Sequence, residues 1–537
     1  MKQAHMMDFE LSVTSLIDHA ERFHGKTKIT SVPVVGGAET TTWAEVARNA
    51  RRIARWLDHQ GLATGARVGT LAWNTRRHLE LYFAVPGAGC VCHTLNPRLH
   101  DDQLVFILNE AEDEILFFDI DQTDRLAAVQ ARLTSVRTFV ALSRQNPEIA
   151  SKIDGVVFYD DLIAATVDDF AWTKLDERAP AFLCYTSGTT GRPKGVVYTH
   201  RSTVLHTLAC NQPDGMGLSA ADCLLMVVPM FHVNAWGSPF MAACVGAELA
   251  LPGPRLDGES LIDLINRTAT THALGVPTIW LGLLEALNRT GQKIDSLTRS
   301  IVGGAALPPS LIAEFRDRYD VHLIHGWGMT EMSPIGTINR PLAFHRNKSP
   351  EDRSCLAEAQ GRPPFGMDMR LVGEDGEILP NDGQSKGVLQ VRGPWVVDHY
   401  FKTAESALTT DGWFDTGDIS SIDPDGYMRI HDRAKDIIKS GGEWISTVEL
   451  ENIAIAHPSI TNAAAIAAAH KKWGERPVLV AVRSADVTEQ EIREFYESKV
   501  AGWQVPDRVV FVDALPIGTT GKVLKSQLRA EFSDILT

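Results

Sequence analysis

Eleven residues from Tyr185 to Gly195, Tyr-Thr-Ser-Gly-Thr-Thr-Gly-Arg-Pro-Lys-Gly, gather four hydroxyls (Thr186, Ser187, Thr189, Thr190), three glycines (Gly188, Gly191, Gly195) and two cations (Arg192, Lys194). Glycines let backbone N–H groups approach a ligand closely, while hydroxyls and a lysine add donors, so the stretch suits a polyphosphate. The spacing is not that of a Walker loop, because no Gly-Lys-Ser/Thr ends it. A polar hairpin turn is the plainer reading, but it needs far less glycine and hydroxyl. Apolar runs at Ala181–Cys184 and Val196–Tyr198 read as strands on either side.

Three further stretches carry groups suited to a nucleotide. In His325-Gly326-Trp327-Gly328-Met329-Thr330-Glu331, Trp327 can stack on a purine face and Glu331 can hold Mg²⁺ through a carboxylate oxygen. Gly303-Gly304-Ala305 offers backbone against which a flat base can lie. In Asp415-Thr416-Gly417-Asp418, a carboxylate can accept two hydrogen bonds from vicinal ribose hydroxyls, and Asp418 is the better placed. Taken singly, each has a bland alternative: a core tryptophan beside a surface glutamate, a plain Gly-Gly bend, an Asp/Gly turn. Lys522, in Leu-Pro-Ile-Gly-Thr-Thr-Gly-Lys, is by default a surface lysine.

These residues need a scaffold. At 537 residues the chain is too long for one core, and length suggests roughly three to four domain-sized units. Strand and helix patterns alternate at 67–73, 77–88, 90–95, 101–111 and 114–119, which argues for a parallel sheet with helices on its faces. The alternation resumes from Cys223 to Ile324, so His325 follows a strand, at the carboxyl end where open α/β sheets bind ligands. From Gly361 to Arg429, short strands and Asp/Gly turns predict a β-rich subdomain. The last hundred residues read as a separate α+β unit, with the boundary in the charged run Asp432–Asp436. The expected division is therefore 1–431 (with the β-rich part at about 361–431), a junction at 432–436, and 437–537.

Composition narrows the function. A net charge of −15 argues against a nucleic-acid partner, and an acidic chain handling ATP must place its cations locally. Seven scattered cysteines form neither a disulfide framework nor a zinc pattern, which fits a reducing, cytoplasmic setting. No apolar run approaches the length of a transmembrane segment.

Tyr185–Gly195 resembles the phosphate loop of the AMP-forming acyl-CoA synthetases, and the likeness runs from about Ser15 to about Arg529. The resemblance implies an α/β fold with a large N-terminal domain of layered parallel sheets plus a β-rich subdomain, and a small mobile α+β C-terminal domain. It implies that Thr186 to Thr190, Gly191 and Lys194 hold phosphates, that Gly303 to Ala305 and His325 to Thr330 form the adenine site, and that Asp418 and Arg433 hold the ribose. Ile430, Lys439 and Trp444 join the cofactor-facing set. Lys435 is the hinge, and Lys522 enters the site from the small domain to neutralise charge as carboxylate and α-phosphate react. The usual residue at Trp327 is Tyr, and Gly518 stands where a Thr is usual. Gly-Glu-Trp-Ile-Ser (Gly442–Ser446) and His232-Val233-Asn234-Ala235-Trp236 resemble a fatty-acyl and methylmercaptopropionate-CoA ligase branch. There Trp236 gates an acyl tunnel lined by His232, Val233, Val276, Val302, Met329 and Met332.

The implied chemistry is a two-step ligation. A carboxylate attacks the α-phosphorus of Mg·ATP to give acyl-AMP and pyrophosphate, and CoA thiol then displaces AMP. The implied partners are a small carboxylic acid, ATP and CoA, with no nucleic acid, and a homodimer is a further expectation from the family. His232 lines the route between CoA and the acyl carbon. Loading of a separate carrier protein shares the first step. A non-catalytic acyl or nucleotide sensor is the different-class alternative, against which intact Lys194, Glu331, Asp418 and Lys522 argue.

Overall fold

The computed structural model describes residues 6–7, 9–186, 193–441, 443–497, 499–518 and 523–537. Apolar strands alternating with helices build two large sheets. One has seven strands, in the order Val157–Phe158, Thr138–Ala141, Asp113–Phe118, Arg67–Leu71, Val91–Leu95, Pro180–Thr186, Lys194–Thr199. Every neighbouring pair is parallel except the last, where Thr186 lies opposite Lys194 in an antiparallel register. The strands around the glycine-rich stretch are thus antiparallel partners, the arms of a hairpin.

The other sheet has eight strands, in the order Ile335–Ile338, His322–Gly328, Arg299–Val302, His272–Gly275, Cys223–Met226, Glu248–Leu251, Lys28–Ser31, Glu39–Thr42. Its inner pairs are parallel and its two edge pairs antiparallel. Sequence reading missed the last two strands and the helices Val13–His24 and Trp43–His59. The second helix nevertheless has the required signals. Thr42 caps its start by accepting from the Glu45 N–H, and Trp43, Val46, Ala47, Ala50, Ile53, Ala54 and Leu57 form one buried stripe at helical spacing. Trp43 satisfies its own polar atom by donating to the Ala247 carbonyl at 2.9 Å, and burying a side chain of such size contributes about 2–3 kcal/mol.

A five-stranded antiparallel sheet follows (Asp368–Val372, Ile378–Leu379, Gly387–Arg392, Phe414–Ile422, Met428–Arg433). The C-terminal sheet is built on the long antiparallel pair Ile460–His470 and Gly474–Arg483, to which Arg508–Phe511 adds in parallel. It has a core of its own around Leu450, Leu479, Ile492 and Tyr496.

The two units meet at Asp432 and Asp436. Asp432 is buried and accepts from the Thr447 N–H at 2.6 Å, and Asp436 pairs with Arg529 at 2.6 Å. Lys435 is exposed in the turn that leads from Arg433 to the strand Ile438–Ser440. Among the described residues no helix is long and apolar enough to cross a membrane.

Candidate active site

The carboxyl ends of four neighbouring strands of the eight-stranded sheet open onto one cavity of about 220 Å³. After Cys223–Met226 come Val228, His232, Val233 and Trp236, after His272–Gly275 comes Val276, after Arg299–Val302 come Gly303 and Gly304, and at the end of His322–Gly328 come Gly326 through Glu331. Thr186 and Lys194 reach it from the other sheet, and Tyr400 and Arg433 from the β-rich part. This is the edge at which doubly wound sheets receive ligands.

Each wall has a local cause. Gly304 has φ +81°, a left-handed conformation that favours glycine, and a side chain there would press on Val276 Cγ1 at 3.3 Å. The indole of Trp236 lies across this Gly-Gly bend, 3.4 Å from where a Gly303 Cβ would stand. Trp236 ends an unusual turn. Val233, Asn234, Ala235 and Trp236 have φ of +48°, +52°, +50° and +57°, so four consecutive L-residues wind left-handed. Such a turn costs roughly 1–2 kcal/mol per residue and persists only where its surroundings hold it. Here Tyr82 donates to the Met230 carbonyl, Asn74 bridges the Met226 and Val228 carbonyls at 2.7 and 2.8 Å, and Asn74 Oδ1 accepts from the Met230 N–H at 2.7 Å. His232 borders the main cavity and two smaller pockets of about 90 and 80 Å³.

At the polar end, Asp418 and Arg433 are cross-strand partners with their side chains paired at 2.7 Å. The Trp327 indole N–H donates to the other Asp418 oxygen at 2.9 Å. Tyr400 donates to Glu331 Oε1 at 3.0 Å, and Lys194 Nζ sits 4.7 Å from the Tyr400 ring centroid. Burial, reinforced by the Glu331 charge, pushes the Tyr400 phenol above its ordinary value, so it stays a donor. Tyr198 is buried and donates to the Thr330 carbonyl at 2.6 Å. Sequence reading missed Tyr400, Tyr198 and Asn74. Their signal lies in contacts between residues far apart in the chain.

Other expected residues sit elsewhere. Val302 is fully buried with the helix-side core of Trp280 and Phe315, because a strand alternates its faces; Ile301 takes the cavity side. Met332 is fully buried in the core, behind the wall. His325 also lies behind the wall, with Nδ1 3.2 Å from the Glu358 carbonyl, and burial lowers its pKa to about 4. Ala305 is exposed beyond Gly304. Ile430 is partly buried, and its N–H donates to Gln360. Lys439 and Trp444 lie together on the C-terminal sheet, 5.9 Å from ammonium to ring centroid, and do not line the cavity. Ser187, Gly188, Thr189, Thr190, Gly191 and Lys522 lie outside the described residues.

A site with Thr186 and Lys194 at one end, a held carboxylate and indole beside them, and an apolar Trp–Val end has room and polarity for a nucleotide and an acyl group together. Comparisons agree with that geometry. The family model for AMP-binding enzymes matches residues 16–401, and that for the AMP-binding enzyme C-terminal domain matches 449–522. The chain is 55% identical to a 3-methylmercaptopropionyl-CoA ligase of Ruegeria lacuscaerulensis, over 99% of each chain. It is 51% identical to a medium-chain-fatty-acid–CoA ligase of Ectopseudomonas oleovorans, over 99% of this chain and 98% of that one. Among solved structures, ATP-bound MatB from Rhodopseudomonas palustris superposes with a TM-score of 0.83 at 27% identity, over 98% of this chain and all of that one. With both family models matched and full-length relatives above half identity, the chain belongs to the AMP-binding enzyme family, among its AMP-forming acyl-CoA ligases.

Proposed function

We propose that the protein activates an aliphatic carboxylic acid with ATP and transfers the acyl group to CoA, and that the acid is a short- to medium-chain or fatty acid, with 3-methylmercaptopropionate among the candidates. The observation that carries this reading is the single cavity in which Trp236 and Val276 face Thr186, Lys194, Trp327 and Glu331. An acid seated at the apolar end presents its carboxylate toward the phosphate end. The names of the two close relatives support an aliphatic acid over an aromatic one.

In the first step the substrate carboxylate attacks the α-phosphorus and pyrophosphate leaves. Thr186, Ser187, Thr189 and Lys194 hold the β- and γ-phosphates, Asp418 and Arg433 hold the ribose, and Trp327 lies against the purine. Rate comes chiefly from position and from fixed charge, as in other phosphoryl transfers. Glu331 suits Mg²⁺, because its carboxylate is in the cavity wall and is oriented by Tyr400, and Mg²⁺ commonly takes only one or two carboxylates besides substrate phosphates. When bound, the metal neutralises phosphate charge. Lys522 neutralises charge on the reacting carboxylate and α-phosphate.

In the second step the CoA thiol attacks the acyl carbon and AMP leaves. The two small pockets flanking His232 support its place on the thiol's route. The exposed Lys435 turn, between two sheets with separate cores, supports a hinge that withdraws Lys522 between the steps. A cytoplasmic setting, where ATP and CoA are found, and a homodimer complete the reading.

The test is AMP release from ATP with an acid panel running from propionate and methylmercaptopropionate through octanoate to palmitate, with benzoate as control. AMP formation that requires both CoA and one aliphatic size class is the expected result. Pyrophosphate exchange without CoA-dependent turnover moves the acceptor to a carrier protein, and no ATP turnover with any acid overturns the reading.

A further inference from the structure

Beside the strand pair His322–Gly328 and Ile335–Ile338 lies a second cavity of about 620 Å³, whose lining includes Thr298, Arg299 and His322 at the amino ends of two strands. Its wall is one-sided in charge. Arg299, Arg340, Arg346 and Arg353 line it with His322, His325 and His345, and no carboxylate is among its lining residues. Three nearby acids have partners, while Glu351 and Asp352, beside Arg353 in the chain, are exposed. Asp222 pairs with Arg299 at 3.2 Å, Asp425 lies 3.4 Å from His345, and Asp214 lies 3.9 Å from Arg362. Among the described residues, no carboxylate comes within ion-pair distance of Arg340, Arg346 or Arg353. Arg340 is held by the Gly215 and Met216 carbonyls, at 2.9 and 3.2 Å. Burial and the neighbouring Arg299 charge pull its pKa below the ordinary arginine value, with Asp214 opposing. Arg346 and Arg353 are exposed and, among the described residues, unpaired by carboxylates, so their guanidinium groups are open to an anion, and the guanidinium fork matches phosphate geometry. The remaining wall is mixed: Leu323, Ile324, Pro341, Leu356, Ala357 and Tyr427 are joined by the polar Thr298 and Asn339. A volume of this size accommodates a ligand of nucleotide scale.

We propose that this cavity is a second binding site, separate from the one that takes ATP and the acid, for a small molecule that joins a phosphate group to an apolar or aromatic body. The phosphate meets Arg340, Arg346 and Arg353, and the body lies against Leu323, Leu356 and Tyr427. His325 and Asn339 line this cavity, while their chain neighbours Gly326 and Ile338 line the other, so one two-stranded ribbon forms the partition.

Phenyl phosphate is the probe, titrated calorimetrically into the full chain at low salt, with inorganic phosphate as the second arm. The comparison variant is Arg346→Gln/Arg353→Gln, since both side chains are exposed and removing them leaves the core intact. Expected are saturable phenyl phosphate binding, weaker binding of inorganic phosphate, and about a tenfold or greater loss of phenyl phosphate affinity in the double variant. Absence of saturable binding, equal affinity for the two probes, or unchanged affinity in the double variant overturns the proposal. The last result would place the probe in the ATP cavity, which contains neither arginine.

Discussion

The indole N–H of Trp327 donates to Asp418 at 2.9 Å, while Arg433 holds the carboxylate's other oxygen at 2.7 Å. One buried carboxylate is thereby fixed between a strand end of the eight-stranded sheet and the last strand of the β-rich sheet. The resemblance leads one to expect a phenol at position 327, and a tryptophan adds a ring donor there as well as a broader face for a purine.

Trp327→Phe keeps an aromatic face and removes the donor. On the proposed reading it raises KM for ATP about tenfold, the scale of one lost hydrogen bond to a charged group, with kcat changed little. Steady-state kinetics with varied ATP checks this, and an unchanged KM would mean that the indole donor is dispensable for positioning Asp418.

Legibility in the sequence followed how local each signal is. The Gly-Gly bend and the Trp327–Glu331 run are each contiguous and follow a strand, which residue type and pattern reveal, and both line the cavity together with Thr186 and Lys194. Val302 shows where this stops. A strand changes face at every residue, and nothing local distinguished Val302 from Ile301 as the one turned toward the cavity. The left-handed turn was invisible because Val, Asn, Ala and Trp carry no shared preference for positive φ, and the contacts that anchor the segment just before it come from Tyr82 and Asn74, far away in the chain. Tyr400 approaches Glu331 from the β-rich part, a relation that no periodicity reports.

Gly237 closes that left-handed turn at φ +77°, and a Cβ there would lie 2.8 Å from the His206 ring. His206 Nε2 accepts from the Ile335 N–H at 3.3 Å, and Ile335 lines the cavity. Gly237→Ala combines backbone strain with overlap and destabilises by about 2–3 kcal/mol. It also displaces Trp236, so the preferred acid size shifts. Denaturant midpoints and the acid panel read the two effects, and a variant with wild-type stability would show that the turn relaxes at little cost.

Acid weakens the fold through buried histidines. Burial lowers His78, His200 and His325 to about 4, and His206 and His272 to about 3, from 6.5. Because the folded pKa values lie below the unfolded one, the unfolded chain binds more protons between about pH 6.5 and 4, and stability falls as pH drops through that window. His200 Nδ1 and His206 Nε2 accept backbone N–H bonds from Val13 and Ile335, which protonation abolishes. Each histidine held at about 4 costs the fold roughly 3 kcal/mol once the unfolded chain is protonated there. Asp119, which burial raises to about 7, acts in the opposite sense, so the histidine part is read as a difference: between pH 7 and pH 5 the unfolding midpoint should fall more steeply in the native chain than in His206→Gln. Equal slopes in the two chains would contradict the assignment.

Lys522→Ala separates the half-reactions. If Lys522 serves only adenylation, pyrophosphate exchange falls by roughly two to three orders of magnitude, the scale of one lost transition-state donor, while CoA transfer from preformed acyl-AMP is spared. Equal loss in both half-reactions would remove Lys522 from its proposed role.

Tyr400 joins the two charged groups assigned to the phosphates and the metal. Its hydroxyl donates to Glu331 and its ring faces Lys194. Tyr400→Phe removes the first contact and keeps the second, whereas Tyr400→Leu removes both. Without the donor, the Glu331 carboxylate is free to rotate, and the apparent requirement for Mg·ATP rises about tenfold. Without the ring, Lys194 also loses a cation–π contact worth about 0.5–2 kcal/mol, and the requirement rises further. Graded loss across Phe and Leu, read as KM for Mg·ATP in pyrophosphate exchange, supports both contacts. Equal loss would assign the whole effect to the hydroxyl, and no loss would make the Tyr400–Glu331 bond dispensable for holding the nucleotide.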